Sequence, residues 1–447
     1  MKRVVVIGGG SAAGAPAAFT AKLFYKDASV TLIKREEKTL VPCGIPYIFG
    51  TLKGVDDDVF SNERYKKRGL SLVIDAATKI DRERKVVKTA GGREISYDKL
   101  VLATGSSPIK PPIEGSDLKN VFFVEKNYEY IKRFLEALSG KKKAVIIGGG
   151  FVGVELGDEL RKRGLEVSIV ELMPHCLQTA FDDEFCELAE SKLKERGIKV
   201  FTGCKVESIL GDEMSRVRGV KLDSGEVLEA DVVVVTVGLK KEVSLATDAG
   251  LEVDERYGVV VDEYQRTSDE DIFAVGDCAF KRSFFTNKPS MLMLAPIGSY
   301  EARIAGANLF KLRRRNEGVI GTFSTAIGDL ALAVSGLTEK AAEAEGIKYV
   351  VGSVEIPDKH PPTMPGIKRI RMKLLFDAKT ETVIGGQLSG GYVVGEIANI
   401  IGTMIRKRMT VDEAATAQVG THPLLTAPPA FYHIMQAAEN ARVADQR

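Results

Sequence analysis

Tryptophan is absent from the 447 residues, histidine occurs four times, and the five cysteines are scattered with no CxxC among them. No histidine stands at zinc-finger spacing from any cysteine. This argues against a disulfide framework or a structural zinc and for a reducing cytoplasm. No apolar run reaches about 18 residues, so no helix is expected to span a membrane. The stretch 1–21 is apolar, but glycines break it where a secretory signal would be continuous. Charge is nearly balanced, with 63 Lys and Arg against 61 Asp and Glu. A net charge of +2, with no basic stripe interleaved with aromatics, gives no footprint for nucleic acid. Asn and Gln are sparse while Lys, Arg and Glu abound, a composition that leans toward a thermophile. Hydrophobic content of 44% and charged content of 28% are those of a soluble globular protein. The length suits two or three domains.

Against these absences stand two copies of one pattern. Val4, Val5, Val6 and Ile7 run into Gly8-Gly9-Gly10-Ser11-Ala12-Ala13-Gly14. Ala144, Val145, Ile146 and Ile147 run into Gly148-Gly149-Gly150-Phe151-Val152-Gly153. Each reads as a strand, a tight glycine turn and a helix start. Glycines there let backbone amides approach a pyrophosphate at the helix N-terminus. Two such units, 140 residues apart, imply two dinucleotides on one chain. The halves repeat further: the first ends in Leu102-Ala103-Thr104-Gly105 and the second in Val235-Thr236-Val237-Gly238, an internal repetition that is itself a fold argument. A proline-rich link, 108–115, joins them. Residues 271–277 read as another strand ending in Gly276 and Asp277, with a helix expected over 299–313. Beyond 321 the pattern changes to strands at 369–376 and 382–388 and an amphipathic helix at 394–406.

The second strand of such a unit is expected to end in an acid that binds a ribose diol. Glu171 does so in the second unit, 23 residues after Gly148, and its charge would repel a 2′-phosphate. A solvated strand end is the plain alternative. The first unit has Lys34 at the equivalent position, which breaks the pattern; Glu36 or Glu37 could take the role, or the ribose could be held another way. Cys43 follows that strand in Val41-Pro42-Cys43-Gly44-Ile45-Pro46-Tyr47. Proline before it and glycine after it suggest a loop turning into a helix, where a thiol is acidic and nucleophilic. The alternative is a buried structural cysteine. No second cysteine lies within ten residues, so redox work at Cys43 needs a partner sulfur or oxygen from outside.

With both fingerprints, the Pro42–Tyr47 segment, Ala103-Thr104-Gly105 and Ala274-Val275-Gly276-Asp277 in hand, the chain resembles the pyridine nucleotide–disulfide oxidoreductases. Within them it is similar to the single-cysteine branch of coenzyme A disulfide reductases, NADH oxidases and peroxidases, and persulfide or polysulfide reductases. The resemblance covers essentially the whole chain. It implies an α/β protein with two Rossmann-like dinucleotide-binding domains and a C-terminal α+β dimerisation domain. FAD would occupy 1–117 with 257–320, NAD(P)H would occupy 118–256, and 321–447 would make a homodimer whose tails complete each other's active sites. FAD would be contacted by Gly8, Gly10, Ser11, Ala12, Ala13, Lys34, Arg35, Pro42, Ala103, Thr104, Gly105 and Gly276, with Asp277 on its ribityl chain. NADH, with NADPH as the alternative, would be contacted by Gly148, Gly150, Phe151, Val152, Gly153, Glu155, Glu171 and Gly238. Phe151 stands where the family often has a ring gating the nicotinamide pocket, and Glu155 would lie near the flavin–nicotinamide junction. Ordinary helix packing explains both equally well.

Departures from the family bear on the substrate. The family's peroxidases and related oxidases carry a histidine in the first glycine loop, where this chain has Ser11-Ala12-Ala13. The tail reads Gly420-Thr421-His422-Pro423-Leu424-Leu425-Thr426-Ala427-Pro428-Pro429, without the tyrosine that marks coenzyme A disulfide reductases. His422-Pro423 instead resembles the histidine-proline of the two-cysteine reductases, so His422 is a candidate acid–base group. A loop histidine bonded to backbone is the alternative. Lys311-Leu312-Arg313-Arg314-Arg315 would suit the phosphates of coenzyme A or be a solvated helix end. Cys278 reads as a small buried hydrophobe. The expected activity is transfer of electrons from NADH through FAD to Cys43, which reduces a small disulfide, persulfide or polysulfide. Coenzyme A disulfide is one candidate. Two rivals stay open: an NADH oxidase working through a Cys43 sulfenate, and an electron-transfer or sensing flavoprotein with Cys43 structural. No metal, nucleic acid or membrane partner is expected.

Overall fold

The computed structural model describes residues 1–445, so the last two residues of the expected third domain, 446 and 447, lie outside the described ones. The chain forms two compact units. One is built from 1–112, 116–141 and 234–319, the other from 113–115, 142–233 and 320 onward.

A five-stranded parallel sheet organises the first unit. Its order is Ile272–Ala274, Lys99–Leu102, Arg3–Ile7, Ser29–Lys34 and Ser71–Ile74. Side chains alternate across a strand, and here both faces are covered, so the central strand reads as unbroken apolar sequence. Val4 and Val6 pack with Ala17, Ala18 and Ala21 of the Gly14–Phe24 helix and with Ala302 and Ala305 of the Ala295–Asn308 helix. Val5 and Ile7 cluster instead with Ile80, Val87 and Tyr97, from a small antiparallel layer and its edge. Small residues let the two helices close on each other: a Cβ added at Gly306 would lie 2.7 Å from the carbonyl oxygen of Ala17.

The helix expected over 299–313 runs instead from Ala295 to Asn308. Pro296 suits its first turn, where no amide partner is needed. At the other end the Asn308 side-chain oxygen accepts the N–H groups of Arg313 (2.8 Å) and Arg314 (3.0 Å), folding the basic run back as a loop.

In the second unit, Lys143–Ile147, Glu166–Val170 and Lys199–Phe201 pair in parallel, with the Phe151–Lys162 and Asp183–Glu195 helices as the intervening crossovers. The region after 320 is a five-stranded antiparallel sheet in the order Thr322–Ile327, Leu330–Gly336, Val383–Gly390, Arg369–Asp377, Tyr349–Pro357. The Val394–Arg406 helix covers Val383–Gly390, which is buried along its full length. The His433–Asp445 helix lies on Tyr349–Pro357, where a Cβ on Gly352 would come within 1.8 Å of the carbonyl oxygen of Ala437. The strands expected at 369–376 and 382–388 and the helix at 394–406 are thus present, the strands a residue or two different at their ends. Among the described residues no helix is long and apolar enough to cross a membrane.

Candidate active site

The first glycine loop is shaped by close approaches. Gly8 has φ +112°, and a Cβ there would meet the carbonyl oxygen of Ala103 at 2.0 Å; one on Gly14 would meet the carbonyl oxygen of Gly8 at 1.6 Å. Around Gly10 and Gly105, by contrast, a Cβ would meet nothing within 4 Å. The loop is therefore tight on its protein side and open on the side where a pyrophosphate would lie, which is the cradle a dinucleotide needs. Ala12 and Ala13 border the Gly276 turn: a Cβ on Gly276 would sit 2.9 Å from that of Ala13. Gly298, in the first turn of the Ala295–Asn308 helix, closes against both. So Gly8, Gly10, Ser11, Ala12, Ala13, Ala103, Thr104, Gly105, Gly276 and Asp277 gather around the C-terminal ends of the parallel strands. Thr104 is anchored by donating its hydroxyl to the Glu242 carbonyl at 2.6 Å.

Asp277 is held by groups that sequence reading missed. Its carboxylate accepts from the Ser106 hydroxyl (2.6 Å) and from Lys126 Nζ (3.2 Å). Burial alone would raise its pKa, yet Lys126, Ser106 and Lys281 hold it below the usual carboxylate range. Tyr65, fully buried, donates its hydroxyl to the Gly9 carbonyl at 2.8 Å and braces the loop from behind. Neither set has a local sequence signature.

Lys34 occupies the strand end where an acid is expected, and it turns inward. Its ammonium donates to the Glu37 carbonyl (2.8 Å), Thr39 Oγ1 (3.0 Å) and Asn62 Oδ1 (2.5 Å). Burial lowers its pKa. Its stem packs under Gly9, where a Cβ would lie 2.5 Å from that of Lys34. The lysine is thus a brace for the loop, with its donors already used. Arg35 is exposed and pairs with Glu36 at 3.1 Å.

Cys43 is the second residue of a 3-10 helix, Pro42–Phe49, and is exposed. The buried-cysteine alternative does not describe it. Gly44 is pressed onto Asp58: a Cβ there would lie 1.9 Å from Asp58 Oδ1. Asp58 is buried, its Oδ2 has no hydrogen-bond partner, and burial pushes its carboxyl up to about 6. The other cysteines differ. Cys176 and Cys186 are buried and pushed up to about 12 by burial, and Cys278 lies in the core with Sγ 3.3 Å from the Val275 carbonyl oxygen.

In the second unit Gly148 takes φ +109° and Gly150 again faces open space. Glu171 directly follows the Glu166–Val170 strand. Its carboxylate accepts the N–H of Gly149 (2.5 Å) and of Met173 (2.7 Å), tying the glycine turn to the strand end. Phe151 stacks on Phe323, centroids 5.3 Å apart and planes within 5°. Glu155, on the same helix, accepts from the Thr325 hydroxyl at 3.0 Å. Burial pushes its carboxyl up to about 7, with Glu159 adding and Thr325 opposing. Val152 is exposed and Gly153 buried. Gly238 falls in the first unit, where its carbonyl accepts the Ile109 N–H at 3.0 Å. His422 is exposed and its Nδ1 accepts the Leu424 N–H at 3.3 Å, the backbone-bonded arrangement. The one acidic cluster of metal-binding dimensions among the described residues, Asp182, Glu184 and Glu339, surrounds the Lys373 ammonium.

Residues 2–302 match the family model of pyridine nucleotide-disulphide oxidoreductases, and 322–429 match the dimerisation domain of the same proteins. The chain belongs to this family. Relatives of the oxidoreductase include an NADH oxidase from Methanocaldococcus jannaschii, 32% identical, with 98% of each chain covered. An NAD(P)H coenzyme A polysulfide/persulfide reductase from Pyrococcus horikoshii is 31% identical over 89% of each. Among solved structures, the NAD-dependent persulfide reductase of A. fulgidus superposes with a TM-score of 0.91 at 34% identity, covering 98% of this chain and 83% of that one. The oxidoreductase is an FAD-dependent NAD(P)H enzyme of α/β fold. The open faces at Gly10 and Gly105 suit FAD, and that at Gly150 suits the nicotinamide dinucleotide. Bound FAD supplies a carrier that takes hydride from NAD(P)H and yields two electrons to an acceptor.

Proposed function

We propose that this oxidoreductase spends NADH to reduce a small sulfur–sulfur bond at Cys43. The observation that carries the reading is the setting of Cys43: an exposed thiol, second in its helix, just beyond the second strand of the first dinucleotide unit. The Cys43 thiolate attacks a disulfide, persulfide or polysulfide, forming a mixed disulfide and releasing one thiolate. Two electrons from NADH then split that mixed disulfide, releasing the second thiol and restoring Cys43. The sum is one NADH and one proton consumed per disulfide, giving two thiols. In the homodimer, His422 of the partner subunit is the acid that protonates the leaving thiol, through the nitrogen not bonded to Leu424. Coenzyme A disulfide is a fitting substrate, supported by the exposed Lys311, Arg313 and Arg314; the name of the Pyrococcus relative supports a coenzyme A polysulfide or persulfide. Glu171 favours NADH over NADPH by repelling a 2′-phosphate. FAD lies along Gly8, Gly10–Ala13, Arg35, Pro42, Ala103–Gly105, Gly276 and Asp277, with Lys34 acting from beneath. Phe151, Val152, Gly153, Glu155 and Gly238 complete the NADH site. We take the functional division as FAD over 1–117 and 257–320, NADH over 118–256 and dimerisation from 321, in a homodimer of the cytoplasm.

Anaerobic NADH consumption on adding a disulfide or polysulfide, lost in Cys43→Ser while FAD is retained, supports this reading. Consumption that needs O₂ and ignores the sulfur compound supports the second reading, NADH oxidation, which the name of the Methanocaldococcus relative favours. Unchanged turnover of the disulfide by Cys43→Ser refutes the first reading outright.

A further inference from the structure

Two carboxylates and three lysines crowd one tight turn of the first unit, and the function above uses only Asp277. Gly276, at φ +77°, donates its N–H to Glu301 Oε2 at 2.8 Å. Its carbonyl accepts from Lys281 Nζ at 2.5 Å, and the same ammonium donates to the Ala279 carbonyl at 3.1 Å. Lys281 Nζ lies 3.4 Å from Glu301 Oε1, and both side chains are 0% exposed. Glu301 Oε1 has no hydrogen bond of its own. The next carbonyl, that of Asp277, accepts from Lys241 Nζ at 2.7 Å. The Gly276 N–H, the Gly276 and Asp277 carbonyls and the Asp277 carboxylate are thus each held by a charged side chain or by Ser106.

A neutral amide would serve the Gly276 N–H as well as Glu301 does. Burying two opposite charges completely is expensive and seldom the most stable solution. The arrangement therefore asks for a role that needs charge. Burial raises the Glu301 carboxyl, opposed by the Lys281 ammonium and the Gly276 N–H, which favour its charged form. With Glu301 held ionised by those partners, Lys126, Lys241 and Lys281 face Asp277 and Glu301, three positive groups against two negative, a surplus of one. Burial lowers Lys241 to about 8, so at neutral pH it still holds its proton. The turn also touches the first glycine loop through Ala13 and the Ala295–Asn308 helix through Gly298.

We propose that the buried Lys281–Glu301 pair positions FAD and that the net charge of the turn it holds sets the flavin reduction potential. The pair locks the Gly276–Asp277 turn against the first glycine loop; being neutral as a whole, it leaves the turn the surplus of Lys126 and Lys241 over Asp277. Reduction of a flavin by two electrons and one proton adds one negative charge to the ring. With Asp277 against the ribityl chain, a surplus of positive charge in the turn acts on that charge through the protein interior and favours the reduced form. The inference rests on the reading that FAD lies against Asp277.

The test compares wild type, Glu301→Gln, Lys281→Met and the double variant. FAD per chain and the flavin midpoint potential are measured by equilibration with a redox dye. Removing the negative partner raises the potential and removing the positive partner lowers it. Each single change shifts the reduced-to-oxidised ratio about tenfold, roughly 30 mV for a two-electron couple. The double variant returns close to wild type. Shifts of the same sign in both single variants, or FAD-loaded variants with no shift, overturn the proposal. Where a single variant fails to fold, Lys126→Met, at a partly exposed position, takes its place and must lower the potential; a rise or no change overturns the proposal equally. Wild type that purifies without FAD, or Asp277→Ala that binds FAD undiminished, sinks the underlying reading instead.

Discussion

Replacing Asp58 by asparagine tests the region beneath Cys43 most sharply. The two side chains are nearly isosteric, so packing against Gly44 is kept and only ionisation is removed. Burial raises the Asp58 carboxyl from 3.8 to about 6, and one of its oxygens has no partner. A folded pKa above the unfolded one means that the native state binds the proton more tightly. The wild type is therefore at its best below about pH 4 and loses stability as pH rises through about 6. A shift of about two units corresponds to about 3 kcal/mol. Asp58→Asn is thus expected to match wild type near pH 4 and to exceed it by about 3 kcal/mol at pH 8. For a cooperative unit of about 200 residues, that is a rise in thermal midpoint of roughly 6 °C or more. The assay is the midpoint difference between variant and wild type across pH 4 to 8. A difference independent of pH, or one that grows toward acid, would refute the reasoning, since either requires that the Val41 N–H, which favours the charged form, offsets or outweighs burial.

Gly8→Ala and Gly10→Ala should behave oppositely although the positions are two apart. The first drives a Cβ into the Ala103 carbonyl and should yield little folded protein, whereas the second should fold normally and bind FAD at least tenfold more weakly, read by fluorescence titration. Glu155→Gln should remove an ionisation near pH 7 from the pH profile of NADH kcat/KM, because the wild-type acid is neutral below that value and charged above it. A profile unchanged by the substitution would place Glu155 outside the catalytic pathway. Glu171→Ser should raise KM for NADH and narrow its advantage over NADPH by about tenfold or more, measured as the ratio of kcat/KM values.

What could be read from sequence was what local geometry demands. Gly8 and Gly14 sit where backbone approaches leave no room for a Cβ, Gly10 and Gly150 where the loop faces open space, and Glu171 stands at a strand end that periodicity alone locates. Cys43 drew notice because proline and glycine flank it. What escaped notice was assembled from distant segments. Lys34 faces inward because Asn62, 28 residues on, supplies an acceptor for its ammonium. Asp277 depends on Ser106, 171 residues earlier, and the Gly276 turn on Glu301 in a helix whose start was placed too late. The end of that helix was misplaced because one side chain, Asn308, folds the following arginines back, and nothing in the basic run itself announces a stop.

The Ile272–Ala274 strand completes the first parallel sheet by pairing with Lys99–Leu102. During synthesis the earlier strand emerges from the ribosome about 170 residues ahead of its neighbour, a delay of roughly 10–30 s at ordinary elongation rates. Through that interval a Leu-Val-Leu edge stands bare, so newborn chains should need shelter by a chaperone, and truncation anywhere before residue 272 should yield aggregates rather than a smaller flavoprotein.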